Sequence, residues 1–326
     1  MIISQTPFRI SFFGGGTDYP AWFNNYPGAV FGMAIDKYCY VVCKPNLGYF
    51  EHKTKVSYSQ LEYVHDNENI GHPAIRECLR FCGLQNANLE LYHVADLPAK
   101  KGLGSSSAFV VGLINAFKIL QGKEIATEQL ALDAIFVEQQ MIKEHVGCQD
   151  QFHSALGRIH HILFSRNGIQ PIEICGGEAI EFLLEHLMLF DTGFYRLASE
   201  IITEQLDRIQ EHESELMRVY ELVELGIQAF LDKDIDWFGY LLDESWKLKR
   251  NLSSKITNPQ LDSIYESAIR AGALGGKLLG AGGGGYMLFV VKPEHQKAVR
   301  EALAGLMHIP FGVDYGGSQI IFKDSS

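Results

Sequence analysis

Apolar residues recur along the chain with two periods, which together predict a mixture of strands and helices. Short β-branched or aromatic runs predict strands at 10–13, 29–33, 38–43, 89–94, 160–164, 187–190, 286–291 and 318–323. Apolar residues at helical spacing predict helices at 73–84, 105–120, 126–145, 196–213, 215–231, 234–250, 258–272 and 293–306. Because strands and helices both occur throughout the chain, the pattern predicts an α+β fold.

A break in the pattern predicts where the chain divides into domains. The segment 175–178 reads Cys-Gly-Gly-Glu, and a new set of strand and helix patterns begins after it. A length of 326 residues is typical of two domains or one large one. The sequence therefore predicts an N-terminal domain over residues 1–177 and a C-terminal domain over residues 178–326.

Charge and composition exclude several classes of function. The chain carries 39 acidic and 28 basic residues, a net charge of −11, which would repel a nucleic-acid backbone. It has neither a basic start followed by a long apolar stretch nor a run of 18 uncharged apolar residues. We therefore expect a cytoplasmic protein with no nucleic-acid or membrane partner, while a small anionic substrate remains compatible with a local cluster of bases.

The strongest chemical motif lies at 101–107, where Lys-Gly-Leu-Gly-Ser-Ser-Ser leads into an apolar helical pattern. Glycines let the backbone approach an anion closely, and the N–H groups at a helix start bind phosphate. A simple serine N-cap is the alternative, but three serines after two glycines favour a phosphate loop. The spacing fits neither a Walker A loop nor a dinucleotide-binding fingerprint after the first strand.

Two further glycine-rich segments lie near the ends of the chain. The segment 279–286 has five glycines in six positions before a strand, which favours a backbone that approaches a ligand or another loop. The segment 7–20 delivers Gly14, Gly15 and Gly16 and then Asp18 to the end of a strand. Asp18 has the chemistry to accept hydrogen bonds from sugar hydroxyls, and a turn or helix cap is its alternative role.

Two acidic residues complete the candidate chemistry. Glu138 lies on the predicted helix 126–145 and Asp150 lies just after it, in an otherwise apolar region. A pair of acids suits metal binding together with general-base catalysis, although acids on a solvated helix face are common.

Taken together and in this order, the three glycine motifs resemble those of the GHMP small-molecule kinases. The resemblance spans the whole chain and implies an N-terminal domain like domain 2 of ribosomal protein S5 and a ferredoxin-like C-terminal domain. It also implies ATP and Mg²⁺ as the nucleotide and metal, and phosphoryl transfer to an alcohol as the reaction.

The resemblance also implies roles for individual positions. Asp150 matches the catalytic base, and Arg9 lies near an arginine that sugar kinases hold beside the reacting groups. Glu138 matches the glutamate that ligates Mg²⁺, and Ser106 matches the serine that shares this metal. The implied nucleotide contacts are Lys101, Gly102, Leu103, Gly104, Ser105, Ser106 and Ser107. The implied substrate contacts in the glycine segments are Gly15, Gly16, Thr17, Asp18, Gly283 and Gly284.

Within the family, the motifs look most like those of the bacterial heptose kinases. Galactokinases have Gly-Glu-His-Thr-Asp in the first motif, where this chain has Gly-Gly-Gly-Thr-Asp at 14–18, which argues against galactose. The heptose kinase branch implies phosphorylation of the anomeric hydroxyl of a heptose 7-phosphate. Arg196, Lys249 and Arg250 are then the candidates to contact the sugar phosphate, although bases in the last helical turn also stabilise the helix dipole.

Three alternatives differ in chemistry. A fucokinase or another sugar 1-kinase is the main rival. A non-catalytic sensor with the same fold is disfavoured, because the base and the phosphate loop are intact. A dinucleotide-binding oxidoreductase is disfavoured, because the first strand lacks the glycine fingerprint. The sequence leaves the oligomeric state open.

Overall fold

The structure is a computed structural model that describes residues 1–48, 51–194 and 198–324. Its strands are β1 (Ile2–Phe13), β2 (Gly28–Pro45), β3 (Thr54–Ser57), β4 (Leu61–Val64), β5 (Leu89–Ala95), β6 (Ile159–Ser165), β7 (Gly168–Glu173), β8 (Leu187–Asp191), β9 (Ala273–Leu278), β10 (Tyr286–Val291), β11 (Met307–Ile309) and β12 (Gln319–Lys323). Its helices are α1 (Pro20–Phe23), α2 (Pro73–Phe81), α3 (Ser105–Leu120), α4 (Thr127–Phe136), α5 (Gln149–Leu156), α6 (Glu178–Glu185), α7 (Ala198–Asp207), α8 (Glu213–Leu231), α9 (Ile235–Asn251), α10 (Pro259–Arg270) and α11 (Gln296–Ala302).

The larger sheet is built around β1 and β2. Its strand order is β12-β1-β2-β5-β3-β4, and β6 pairs with β2 and with β7. Strand β2 changes partner along its length: Gly28–Met33 pairs with β6, and Cys39–Pro45 pairs with β5. This change lets one long strand hold both halves of the sheet against β1.

The sequence predicted two strands where the structure has β2 alone. The runs 29–33 and 38–43 flank the polar pair Asp36 and Lys37, which interrupts the apolar pattern. In the structure the pairing with β1 continues across this pair, with a register shift between Pro7 and Phe8. The polar residues therefore occupy a β-bulge, which bends a strand without ending it.

Helix α3 is the central helix of the N-terminal half. It starts directly after Gly104, and every residue from Ser107 to Phe117 is buried. A helix that is apolar on all sides lies inside a protein, and α3 packs against β1, β2, α4 and α5. Burial on all sides fixes the position of the phosphate-loop motif, which is continuous with the start of α3.

The smaller sheet has the strand order β11-β8-β10-β9, and its pairings are antiparallel. Numbered within this half of the chain, that order is 4-1-3-2 with helices between the first and second and between the third and fourth strands, which is the ferredoxin-like arrangement. Helix α9 packs on β9, and its Phe238 ring meets Phe13 of β1 edge-on, with ring centroids 5.2 Å apart. The two sheets therefore share an apolar boundary.

The end of the chain returns to the larger sheet. Strand β12 pairs with the start of β1, and Val313 forms a bridge with Ile35. The division at residue 177 stays a prediction, and this returning segment packs with the first half of the chain.

Several elements differ from the sequence predictions. The helix predicted over 126–145 is α4 followed by a π-helix, Val137–Ile142, and the helix predicted over 293–306 is a short 3₁₀ turn followed by α11. The patterns did not predict β3, β4, β7, β9, β11, α1, α5 or α6, most of which are six residues or shorter. In the described ranges, no helix is both long enough and apolar enough to cross a membrane.

Candidate active site

Arg9 and Asp150 form the centre of the candidate site. Arg9 lies in β1 and Asp150 in the first turn of α5, and the Arg9 Nε and Nη2 atoms donate to the two Asp150 carboxylate oxygens at 2.8 and 2.9 Å. Two parallel bonds fix the plane of the carboxylate as well as its position. The Asp150 side chain is 24% exposed, against 6% for Arg9, so the carboxylate is the member of the pair that solvent reaches.

The phosphate-loop motif lies directly against this pair. Arg9 Nη1 donates to the carbonyl of Gly102 at 2.6 Å, and the Arg9 backbone N–H donates to the carbonyl of Leu103 at 3.1 Å. Gly104 has a φ of +71°, and a Cβ there would lie 3.1 Å from Arg9 Cγ and 3.2 Å from Asp150 Oδ2. A glycine is therefore required at 104 both for the backbone conformation and for the approach to Asp150.

The C-terminal glycine segment packs against the phosphate loop. Gly102 has a φ of +91°, and a Cβ there would overlap the carbonyl of Leu279. The Tyr286 N–H donates to the carbonyl of Lys101 at 3.1 Å, and Lys101 Nζ forms an ion pair with Asp191 at 2.6 Å. The segments 101–107 and 279–286 thus pack together beside Asp150 and are called the double loop below. Lys101 stabilises it through its ion pair with Asp191.

The three serines of the loop have different surroundings. The Ser105 hydroxyl accepts a bond from the N–H of Lys100, Ser106 is exposed, and Ser107 is buried. Ser107 Oγ donates to Glu138 Oε1 at 3.0 Å. The serine that contacts Glu138 is therefore Ser107. That Ser106 shares a metal with Glu138, as the family motif implies, stays a prediction.

Glu138 is fully buried on the π-helix. Gln151 Nε2 donates to Glu138 Oε2 at 2.5 Å, so both carboxylate oxygens accept a hydrogen bond. Burial raises the pKa of Glu138 from 4.5 to about 8, and the bonds from Gln151 and Ser107 only partly oppose this. At neutral pH the Glu138 carboxyl is therefore mainly protonated, and a cation bound beside it would drive off that proton.

The oxygen atoms near Glu138 are of the type that Mg²⁺ binds. This ion takes hard oxygen ligands and keeps several waters, so one carboxylate and one hydroxyl suit it. Glu138 and Ser107 supply such oxygens, and Gln151 Oε1 is a further buried oxygen without a hydrogen-bond partner among the described residues. Within the same ranges, no cluster of three or more His, Cys, Asp or Glu side chains offers a metal site made by protein ligands alone.

The first glycine segment packs on the segment before Asp150. The Asp18 carboxylate accepts bonds from the Gly16 N–H at 3.0 Å and from Gln149 Nε2 at 3.0 Å, and the residue is 2% exposed. The Thr17 hydroxyl donates to the carbonyls of Gly14 and Ala29 and is fully buried. Here both side chains stabilise the turn, and their contact with a substrate stays a prediction.

An added Cβ at Gly15 would be 3.6 Å from Gln149 Nε2, which places this glycine next to α5. On the C-terminal side, the Gly283 N–H donates to the carbonyl of Ile256 at 2.8 Å, and Gly284 follows it in the same loop. Substrate contacts by these glycines also stay predictions.

The basic residues predicted to meet a sugar phosphate have different surroundings. Lys249 Nζ donates to the carbonyls of Leu278, at 2.9 Å, and of Gly280, which ties α9 to the glycine loop. Arg250 forms an ion pair with Asp262 at 3.1 Å. Arg196 lies outside the described residues. Lys249 is thus adjacent to the double loop, while Arg250 has an acidic partner on α10.

Sequence reasoning missed Lys277. This lysine lies in β9, is 5% exposed, and donates from Nζ to the carbonyl of Phe12 at 2.7 Å. Burial, and secondarily the nearby charge of Arg9, lower the pKa of Lys277 from 10.5 to about 7. The available signal was a lysine three residues before a glycine loop.

A glycine loop at a helix start packs against a second glycine loop and lies beside a carboxylate held by an arginine. This arrangement suits phosphoryl transfer to an alcohol. Family models agree with this class. The model of the GHMP kinase N-terminal domain matches residues 70–158, and the model of the GHMP kinase C-terminal domain matches residues 227–308. The chain belongs to the GHMP kinase family and has the fold of that family.

Individual relatives cover nearly the whole chain. The chain is 28% identical to a D-glycero-alpha-D-manno-heptose 7-phosphate kinase of Campylobacter jejuni over 93% of both sequences. It is 24% identical to a bifunctional fucokinase/GDP-fucose pyrophosphorylase of Arabidopsis thaliana, over 92% of this chain but only 31% of that protein. A crystal structure described as a D-glycero-D-manno-heptose 1-phosphate kinase from Bacteroides thetaiotaomicron superposes with a TM-score of 0.82 over 100% of both chains, at 21% identity.

Proposed function

We propose that this protein is an ATP-dependent sugar kinase that phosphorylates the anomeric hydroxyl of D-glycero-D-manno-heptose 7-phosphate. The observation that carries the proposal is the Arg9–Asp150 pair, which presents a partly exposed carboxylate beside the phosphate loop. A carboxylate next to a phosphate site is what in-line transfer to a hydroxyl needs.

Asp150 acts as the base that orients and deprotonates the acceptor hydroxyl. The two bonds from Arg9 use one acceptor position on each carboxylate oxygen, which leaves further lone pairs for a substrate hydroxyl. Arg9 holds the carboxylate in one orientation, and positioning is a large part of phosphoryl-transfer catalysis.

The nucleotide phosphates would bind to the loop 101–107, where the backbone N–H groups at the start of α3 are suited to donate to an anion. Glu138 and a serine hydroxyl of the loop would hold Mg²⁺, which would supply positive charge to offset that of the phosphates. Ser107 is the serine that contacts Glu138, and Ser106 at the exposed edge of the loop is the position assigned from the family motif.

The acceptor assignment is supported by the relatives. A relative that matches 93% of the chain is named as a heptose 7-phosphate kinase, and other relatives are named as fucokinases or galactokinases. In this proposal the N-terminal domain, residues 1–177, binds the nucleotide. The C-terminal domain, residues 178–326, contributes the second glycine loop. Arg196, Lys249 and Arg250 are the candidate contacts of the substrate phosphate.

The test is a panel of acceptors assayed for ADP release with ATP and Mg²⁺. We expect heptose 7-phosphate to give a kcat/KM at least tenfold above that of the unphosphorylated heptose, fucose, mannose or galactose, because a lost charged hydrogen bond has about that effect. A preference for fucose would support the rival sugar 1-kinase. ADP release that no sugar stimulates would contradict the proposal.

A further inference from the structure

Two lysines beside the double loop have no acidic partner among the described residues: Lys277 is buried and Lys249 is partly buried. Lys249 comes from the last turn of α9 and Lys277 from β9, and their ammonium groups donate only to backbone carbonyls. Among the described residues, no carboxylate lies within 4.0 Å of either Nζ, whereas the neighbouring Lys247 pairs with Asp243 at 2.6 Å. Lysines are rarely buried without a partner, because the lost hydration must be replaced.

The two lysines are also close enough to Arg9 for their charges to interact. Arg9, Lys249 and Lys277 act on one another electrostatically, and Asp150 is the carboxylate that pairs with this group. Burial and these neighbouring charges lower the pKa of both lysines, because no anion beside them in the described ranges offsets the cost of burying their charged forms. An anion bound in this site would favour the charged forms and offset that cost.

Each of the two ammonium groups also has at least one N–H donor that these bonds do not use. Each has three N–H donors. Lys277 uses one of them on the carbonyl of Phe12, and Lys249 uses two on the carbonyls of Leu278 and Gly280. Phe12 lies near the end of β1, Leu278 at the end of β9 and Gly280 in the glycine loop, so the two lysines bond to elements that adjoin the Arg9–Asp150 pair.

We infer that Lys249 and Lys277, together with Arg9, form a subsite for a phosphoryl group beside Asp150. The inference deepens the proposed function and rests on it for the identity of the ligands. The phosphoryl group is either the γ-phosphate of the nucleotide or the phosphate of the acceptor. Both are dianions of the same chemistry, and the experiment below separates them.

The protonation of Lys277 supports this reading. Burial and the positive charge of Arg9 bring the pKa of Lys277 to about 7, and the charged groups that act on it are Arg9 from β1 and Lys249 from α9. An anion bound beside Lys277 stabilises its charged form, so binding at pH 8 brings uptake of a proton.

The experiment measures equilibrium binding, without turnover, by calorimetry. One ligand pair is ADP and a non-hydrolysable ATP analogue, which differ in the γ-phosphate, and the other is the heptose and its 7-phosphate. We compare the wild-type protein with Lys249→Met and Lys277→Met, and with Lys247→Met as the control on the same helix.

We expect at least one Met variant to lose about tenfold to a hundredfold of the preference for the phosphorylated member of one pair, the scale of a lost hydrogen bond to a charged group. The pair that responds identifies the source of the phosphate. Lys247→Met leaves both preferences unchanged. Two folded Met variants with wild-type preferences in both pairs, or a wild-type protein with no preference in either, would overturn the inference.

A charge-retaining variant covers the case in which Lys277→Met fails to fold. Lys277→Arg keeps the positive charge and stays protonated, so we expect it to bind the phosphorylated ligand without the proton uptake that the wild type shows at pH 8. Proton uptake is measured by calorimetry in buffers of different ionisation enthalpy. If the wild type and Lys277→Arg take up the same number of protons on binding, Lys277 has only a structural role, and its place in the subsite is refuted. Because the nucleotide pair needs no sugar, a wrong acceptor assignment would leave this test intact.

Discussion

Glu138→Gln tests the electrostatics of the site through the stability of the protein. The wild-type carboxyl keeps its proton up to a pKa of about 8 in the native state, whereas the unfolded chain releases it near 4.5. The native state therefore binds more protons than the unfolded state between these values, and the carboxyl destabilises the fold increasingly as the pH rises through this window. At 1.36 kcal/mol per pKa unit, the cost reaches up to about 5 kcal/mol above pH 8.

A glutamine removes this cost, because its amide does not ionise. The amide must face Ser107 and Gln151, both of which donate to Glu138 in the wild type. Gln151 Oε1 has no partner among the described residues, so rotation of the Gln151 amide would present an acceptor to the new NH₂ group. Allowing for this adjustment, we expect Glu138→Gln to be more stable than the wild type by about 1–3 kcal/mol at pH 8.5 without metal.

The assay is thermal unfolding of both proteins at pH 5 and pH 8.5, with and without Mg²⁺. The variant should melt about 2–6 °C above the wild type at pH 8.5 without metal, and the two should differ little at pH 5. Mg²⁺ should raise the melting temperature of the wild type and not that of the variant, because the ion binds the ionised carboxylate. Parallel pH profiles of the two proteins would refute the buried, protonated carboxyl, and equal Mg²⁺ effects would refute its role as a ligand.

Three further substitutions address the double loop and the base. Asp150→Asn should fold and bind a non-hydrolysable ATP analogue normally but lose turnover by about a hundredfold or more, and near-normal kcat would remove Asp150 from the role of base. Gly102→Ala should destabilise the protein by at least about 1–2 kcal/mol in denaturant unfolding, because its φ is positive and the Cβ overlaps the Leu279 carbonyl, and an unchanged midpoint would contradict the close packing of the two loops. Lys101→Met should leave Asp191 without its partner and raise the KM for ATP several-fold more than the KM for the sugar, whereas equal effects on both would place the ion pair outside the nucleotide site.

Local motifs in this chain could be predicted from the sequence, but contacts between them could not. The glycine-serine loop and the start of α3 at Ser105 follow from glycine and serine chemistry, and the structure confirms this boundary. The bonds between Arg9 and Asp150 join residues 141 positions apart, and no spacing rule predicts such a contact. Only the family resemblance placed both residues at one centre.

Burial was the property that the sequence could not supply. The partnership of Glu138 with Ser107 rather than Ser106 depends on which way the first turn of α3 faces, which the packing of that helix determines. Lys277 lies in a strand that the pattern did not predict, because two glycines and the lysine itself interrupt its apolar run. Its enclosure by β1 is a result of how the two sheets meet.

The most direct test of the central claim is the position of the new phosphate on the product. We expect ³¹P NMR of heptose 7-phosphate incubated with ATP, Mg²⁺ and the protein to show a second phosphate, coupled to the anomeric proton, that grows in step with ADP. The same reaction with Asp150→Asn should show no such signal in the same time. A phosphate on another hydroxyl, or ADP formed without any sugar bisphosphate, would contradict the account.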